Sequence, residues 1–204
     1  MKRCFGQVIL LFAIIGLIIA PPAFADEITD QIKSGIELYE KGKVTEAINE
    51  LEFALAQMRQ KKADALGDVF PEAPDGWKAE KPESQAAGRA MLGGGISATR
   101  AYSQKSGKGR AEIEIMTDSP MLQSLSMLFS NPMFLQGSGK GKLIKVQGQK
   151  AILKSRKENS AELQAMIDNK VLLKVTVRRY DGAADFAKEM AEAVDLDKIR
   201  ELNK

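Results

Sequence analysis

The residue types able to do chemistry are few in this sequence. There is no histidine, and Cys4 is the single cysteine, which removes histidine-based nucleophile–base arrangements and most zinc sites. Ser119, Ser124, Ser126 and Ser155 have lysines in their neighbourhood, as a serine–lysine nucleophile requires, but no spacing sets them apart from ordinary serines. Glu112 and Glu114 project from one face of an alternating segment, the geometry of a hydrolase carboxylate pair. With basic strands expected beside them, cross-strand ion pairing is the simpler role. Gly93-Gly94-Gly95 and Gly137-Ser138-Gly139-Lys140-Gly141-Lys142 invite a phosphate-loop reading. The second lacks the four-residue spacer between glycines and leads into a strand, whereas a phosphate cradle opens a helix, so both are expected as loops. Met91, Met116, Met121, Met127 and Met133 could offer thioethers to Cu(I), yet no histidine or cysteine completes a site. Soft, adaptable packing is their expected use. The residues therefore predict no cofactor, no bound metal and no catalytic set.

What is left is an address and a set of surfaces. Lys2 and Arg3 precede an apolar run from Val8 to Ala20, then Pro21-Pro22 and Ala23-Phe24-Ala25. This is the three-part pattern of a signal peptide over residues 1–25, with cleavage after Ala25 and a periplasmic or secreted destination. The apolar run is 13 residues long, short of the roughly 20 that span a bilayer. Beyond Ala25 no cysteine remains, so stability must come from packing without disulfides. The charge there is 28 basic against 27 acidic residues, a balance that does not predict nucleic-acid binding.

Residues 26–68 predict a helical hairpin. Apolar residues recur at helical spacing from Ile28, and Gly42 interrupts them where a left-handed C-cap or tight turn is needed. A second amphipathic run follows Thr45 and continues to Lys62. Gly35, Leu38, Gly42, Ala47, Leu51, Ala54 and Leu55 stand at the spacing of one tetratricopeptide repeat, which this segment resembles over residues 28–62. Gln31 and Arg59 depart from that pattern, and no second copy follows. The resemblance implies a groove for a peptide or protein partner. A lone hairpin that only packs is the competing account, since repeats normally cover one another's faces.

Residues 69–88, with Phe70-Pro71 and Pro74-Asp75-Gly76-Trp77, predict a Pro/Gly-rich linker, with Trp77 as an apolar anchor. Residues 89–204 predict an α+β sandwich: about six antiparallel strands in a meander, with helices from Met121 and from Ala183 on its apolar face. Phe186, Met190, Ala193 and Val194 are expected on the inner side of the second of these helices, and Asp195 as the cap of a short terminal turn. The order of elements is similar to the PsbP-type α-β-α sandwich of small exported accessory proteins, which implies an auxiliary, non-catalytic role.

Two surfaces follow. Lys140, Lys142, Lys145, Lys150, Lys154, Arg156 and Lys157 fall in one predicted hairpin and form a candidate surface for an acidic partner or anionic lipid. Met121, Leu125, Leu128, Phe129, Met133 and Phe134 form a candidate hydrophobic pocket. The expected function is an exported, non-enzymatic binding or adapter protein with an envelope protein partner or a second copy of itself. A small hydrophobic-ligand or lipid carrier is the alternative. A fragment from Val69 onward is expected to keep its sheet, and one ending at Asp68 to unfold.

Overall fold

The computed structural model describes residues 27–87, 95–130 and 141–204, with the backbone alone for Ala87, Leu128, Ser130, Arg156 and Lys157. The expected signal peptide lies outside the described residues. Helices α1 (Glu27–Glu40) and α2 (Val44–Leu66) form the N-terminal hairpin. Gly42 takes a φ of 75°. The Lys43 amide donates to the Leu38 carbonyl (2.9 Å) and the Gly42 amide to that of Tyr39 (3.0 Å), the paired bonds of a Schellman cap. Gly35, Ala47 and Ala54 are buried where the helices meet. A Cβ on Gly35 would stand 2.8 Å from the Cγ and Cδ2 of Leu51, so the close approach depends on glycine there.

The rest is α+β, as the alternation predicts. The strands are β1 (Trp77–Ala79), β2 (Glu83–Ala87), β3 (Gly95–Gln104), β4 (Arg110–Thr117), β5 (Lys142–Val146), β6 (Gln149–Lys157), β7 (Ser160–Ile167) and β8 (Val171–Arg178). All pairings are antiparallel. The order is β1-β3-β4-β8-β7-β6-β5, with β2 also beside β3. The two-residue turn Gln147-Gly148, with both φ values positive, closes the β5–β6 hairpin, and the three-residue loop Asp168-Asn169-Lys170, positive in φ at its first two residues, closes β7–β8.

Three expectations need correction. The segment read as a linker supplies β1 and β2, which lie one after the other along β3 and end the sheet there. It is tacked down by polar bonds: Tyr102 donates to the Pro71 carbonyl (2.8 Å), and Arg100 donates to those of Pro71 (3.1 Å) and Glu80 (3.0 Å). The meander is broken, because β4 pairs with β8 and the chain passes through α3 (Met121–Ser130) before entering at the opposite edge as β5. Helices also lie on both faces of the sheet. α4 (Ala183–Glu192), α5 (Leu196–Leu202) and the last turns of α2 cover the face of Ile113, Ile115, Leu163 and Val175. α3 covers one end of the opposite face.

The remaining anchors follow the sequence closely. Trp77 is 3% exposed and stacks on Phe186 at 4.6 Å between ring centroids, with Tyr180 edge-on at 5.1 Å. Asp195 caps α5 by accepting from the Lys198 amide (2.9 Å). Ala193, expected inward, is exposed because it is the C-cap of α4 and lies past the last inward turn. Gln147 closes that same helix end. Its Nε2 donates towards the carbonyls of Ala191 (3.2 Å), Glu192 (3.0 Å) and Val194 (2.9 Å).

Candidate functional site

The hairpin only half belongs to the core. Ala63 and Leu66 of α2 are fully buried in the main cluster, whereas α1 packs principally on α2. On α2, Val44, Ile48, Leu51 and Met58 follow at helical spacing beside the buried line of Ala47 and Ala54. On α1, Ile32 and Ile36 stand beside the line of Ile28 and Gly35. Because the helices are antiparallel, both rows fall on one side of the hairpin. The α2 row continues through Lys62 to Leu66, where it meets the sheet. Farther from the sheet it loses that cover: Ile36 is 50% exposed, Tyr39 66% and Ile48 51%. Of the repeat-like positions, Gly35, Ala47 and Ala54 are buried, Leu38 and Leu55 half-buried, and Gly42 and Leu51 exposed. Sequence periodicity found this row but could not tell how far along it the second domain reaches.

The candidate pocket residues divide. Phe129 is buried, Leu125 half-buried and Met121 exposed. The Leu128 side chain, Met133 and Phe134 lie outside the described residues. Leu122 and Phe129 pack on Ile152, Met166 and Leu172, with Met116 and Leu125 at the margin, so side chains fill the space beneath α3. Beside the helix an open groove of about 660 Å³ runs between Leu122, Met127, Asn169 and Asn203. The signal for this second cluster was present in the sequence: Met116, Ile152, Met166 and Leu172 are apolar at positions whose parity assigns them to the polar face.

The basic hairpin is not one patch. In the β5–β6 register Lys145 is directly opposite Lys150, on the same side as Lys154. Lys142 pairs with Leu153 and falls on the other side of the sheet. Lys154 is engaged by Glu162 at 3.5 Å. Lys140 lies outside the described residues, as do the side chains of Arg156 and Lys157.

The carboxylates on the open face are held in place by the sheet. Lys174, on β8, donates to Glu114, on β4, at 3.0 Å. Burial is the largest single influence on Lys174 and lowers its pKa, but the bond and charge of Glu114, with Glu162 and Glu112 nearby, outweigh it and leave the ammonium's pKa raised. Glu162 also accepts from Gln164 (2.8 Å). The result is a row of mutually neutralised groups across neighbouring strands. Among the described residues no three His, Cys, Asp or Glu side chains are grouped to hold a metal ion, and no helix is long and apolar enough to cross a membrane. No protein family, curated protein or solved structure matches this chain.

Proposed function

We propose that this is an exported, non-enzymatic binding protein that works through protein–protein contacts, with the N-terminal hairpin as its contact element. One observation carries the reading: a helical face that is core at its inner end continues outward, uncovered, past the edge of the sheet. Large apolar side chains grouped in this way on a polar surface mark interaction sites. The ion-paired Glu114, which the sequence offered for acid–base work, is consistent with a structural role. The filled space under α3 favours contact over carriage of a hydrophobic ligand. The export assignment rests on the signal-peptide pattern of residues 1–25.

The test is capture of envelope proteins on the immobilised protein, beside an Ile48→Glu variant. Binding lost in the variant while its circular dichroism is unchanged supports the reading. Equal capture by both proteins, or none by either together with no self-association, overturns it.

A further inference from the structure

We infer that the uncovered hairpin face is where two copies of this chain meet, hairpin against hairpin, an inference that rests on the reading of the hairpin as contact element. Ile36, Tyr39, Val44, Ile48, Leu51 and Met58 are each between 41% and 66% exposed. At about half of a large side chain apiece they leave on the order of 500 Å² of apolar surface. A standard-size interface of about 800 Å² per partner, with the roughly 65% apolar content of a homodimer contact, needs that amount. Two helices with one apolar side become a four-helix bundle when a second pair lies across them, and a twofold axis closes the assembly without leaving a further sticky surface.

The charges favour this occupant over a lipid surface. Between Glu27 and Met58 the hairpin carries seven acidic residues against three basic ones. A helix lying on an anionic bilayer needs the reverse. Asp30, Glu37 and Glu46 are already neutralised within the hairpin by Lys33 (3.5 Å), Lys41 (3.5 Å) and Lys43 (3.0 Å). What repulsion remains between two copies is surface charge that salt screens.

The experiment is sedimentation velocity across a concentration series, on the protein in the form that accumulates when its complete sequence is expressed. The expected result is a reversible dimer that tightens as salt is raised. Ile36→Lys and Ile48→Glu, both at half-exposed positions, should each weaken dimerisation at least tenfold with unchanged circular dichroism and melting. Should either variant fail to fold, the wild-type salt response still decides. A monomer at every concentration, a dimer that weakens with salt, or one indifferent to both folded variants overturns the inference. A wild-type monomer that nevertheless captures an envelope protein through Ile48 refutes the dimer and leaves the contact reading intact. A dimer that captures nothing else identifies the second copy as the partner.

Discussion

Lys62 Nζ lies 2.8 Å from Asp118 Oδ2, joining α2 to the corner where the chain leaves β4 for α3. This ion pair ties the hairpin to the end of β4, beside the buried Ala63 of α2. Both partners remain partly in water, with side-chain exposures of 27% and 50%, so its net worth is small, about 0.5 kcal/mol. Lys62→Met and Asp118→Asn should each cost no more than about 1 kcal/mol in urea unfolding. Amide exchange in α1 should quicken in both. A loss of several kcal/mol would show that the pair is holding the hairpin down.

Leu51 occupies the space that a Cβ on Gly35 would need. Alanine in place of glycine gains about 1 kcal/mol of helix propensity, while overpacking costs about 1–3 kcal/mol. Gly35→Ala should therefore be destabilising by up to about 2 kcal/mol. In a Leu51→Ala background, where the obstructing side chain is gone, the same change should stabilise by about 1 kcal/mol. A double-mutant cycle by thermal melts reads the sign reversal directly.

Burial raises the Tyr102 hydroxyl to a pKa of about 12, against the lowering influence of Arg100. A raised folded-state pKa means that the stability it contributes is complete below pH 10 and is lost as pH rises towards 12. The wild type should lose stability across that window, and Tyr102→Phe should lose less there. The variant's cost near neutrality should be about 1 kcal/mol, from the missing bond to Pro71. Urea midpoints taken from pH 7 to 12, with phenolate absorbance, would show both effects.

Trp77 is the protein's one tryptophan, and its place against Phe186 and Tyr180 joins β1 to α4. Trp77→Ala should cost about 3–5 kcal/mol, whereas Trp77→Phe should recover more than half of that. Differential scanning calorimetry separates an anchor of this weight from a mere loop ornament.

The expectation that a chain beginning at Val69 keeps its sheet changes once α2 is seen to end inside the core. Such a fragment lacks Ala63 and Leu66, both fully buried. Leu66 alone is worth about 2–3 kcal/mol of burial. The fragment should melt well below the intact chain and bind a hydrophobic dye. Equal stability of the two would mean that α2 is dispensable to the sheet.

Local chemistry was legible in the sequence, while long-range pairing was not. Gly42 announced the hairpin turn, and the alternation of Val171 to Val177 announced a strand with one inner face, because both are decided within a few residues. Trp77–Ala79 and Glu83–Ala87 were missed, being short and set among prolines that read as loop. Nothing local states that β4, already paired with β3, takes β8 rather than β5 on its other side. The cluster under α3 was hidden because Ile152, Met166 and Leu172 each look like a lone exception and become a patch only when the strands are set in register. The lysines of the β5–β6 hairpin looked like one surface for the opposite reason: nearness in sequence concealed the parity that separates Lys142 from Lys145.

α2 runs without interruption for 23 residues, a rod of about 35 Å, with one end embedded beside β3 and the other outside the sheet. Whatever grips the outer end therefore acts on a helix whose inner turns, through Ala63 and Leu66, are part of the core. If a second copy binds there as proposed, its grip and the melting temperature of the sheet are coupled through the same helix.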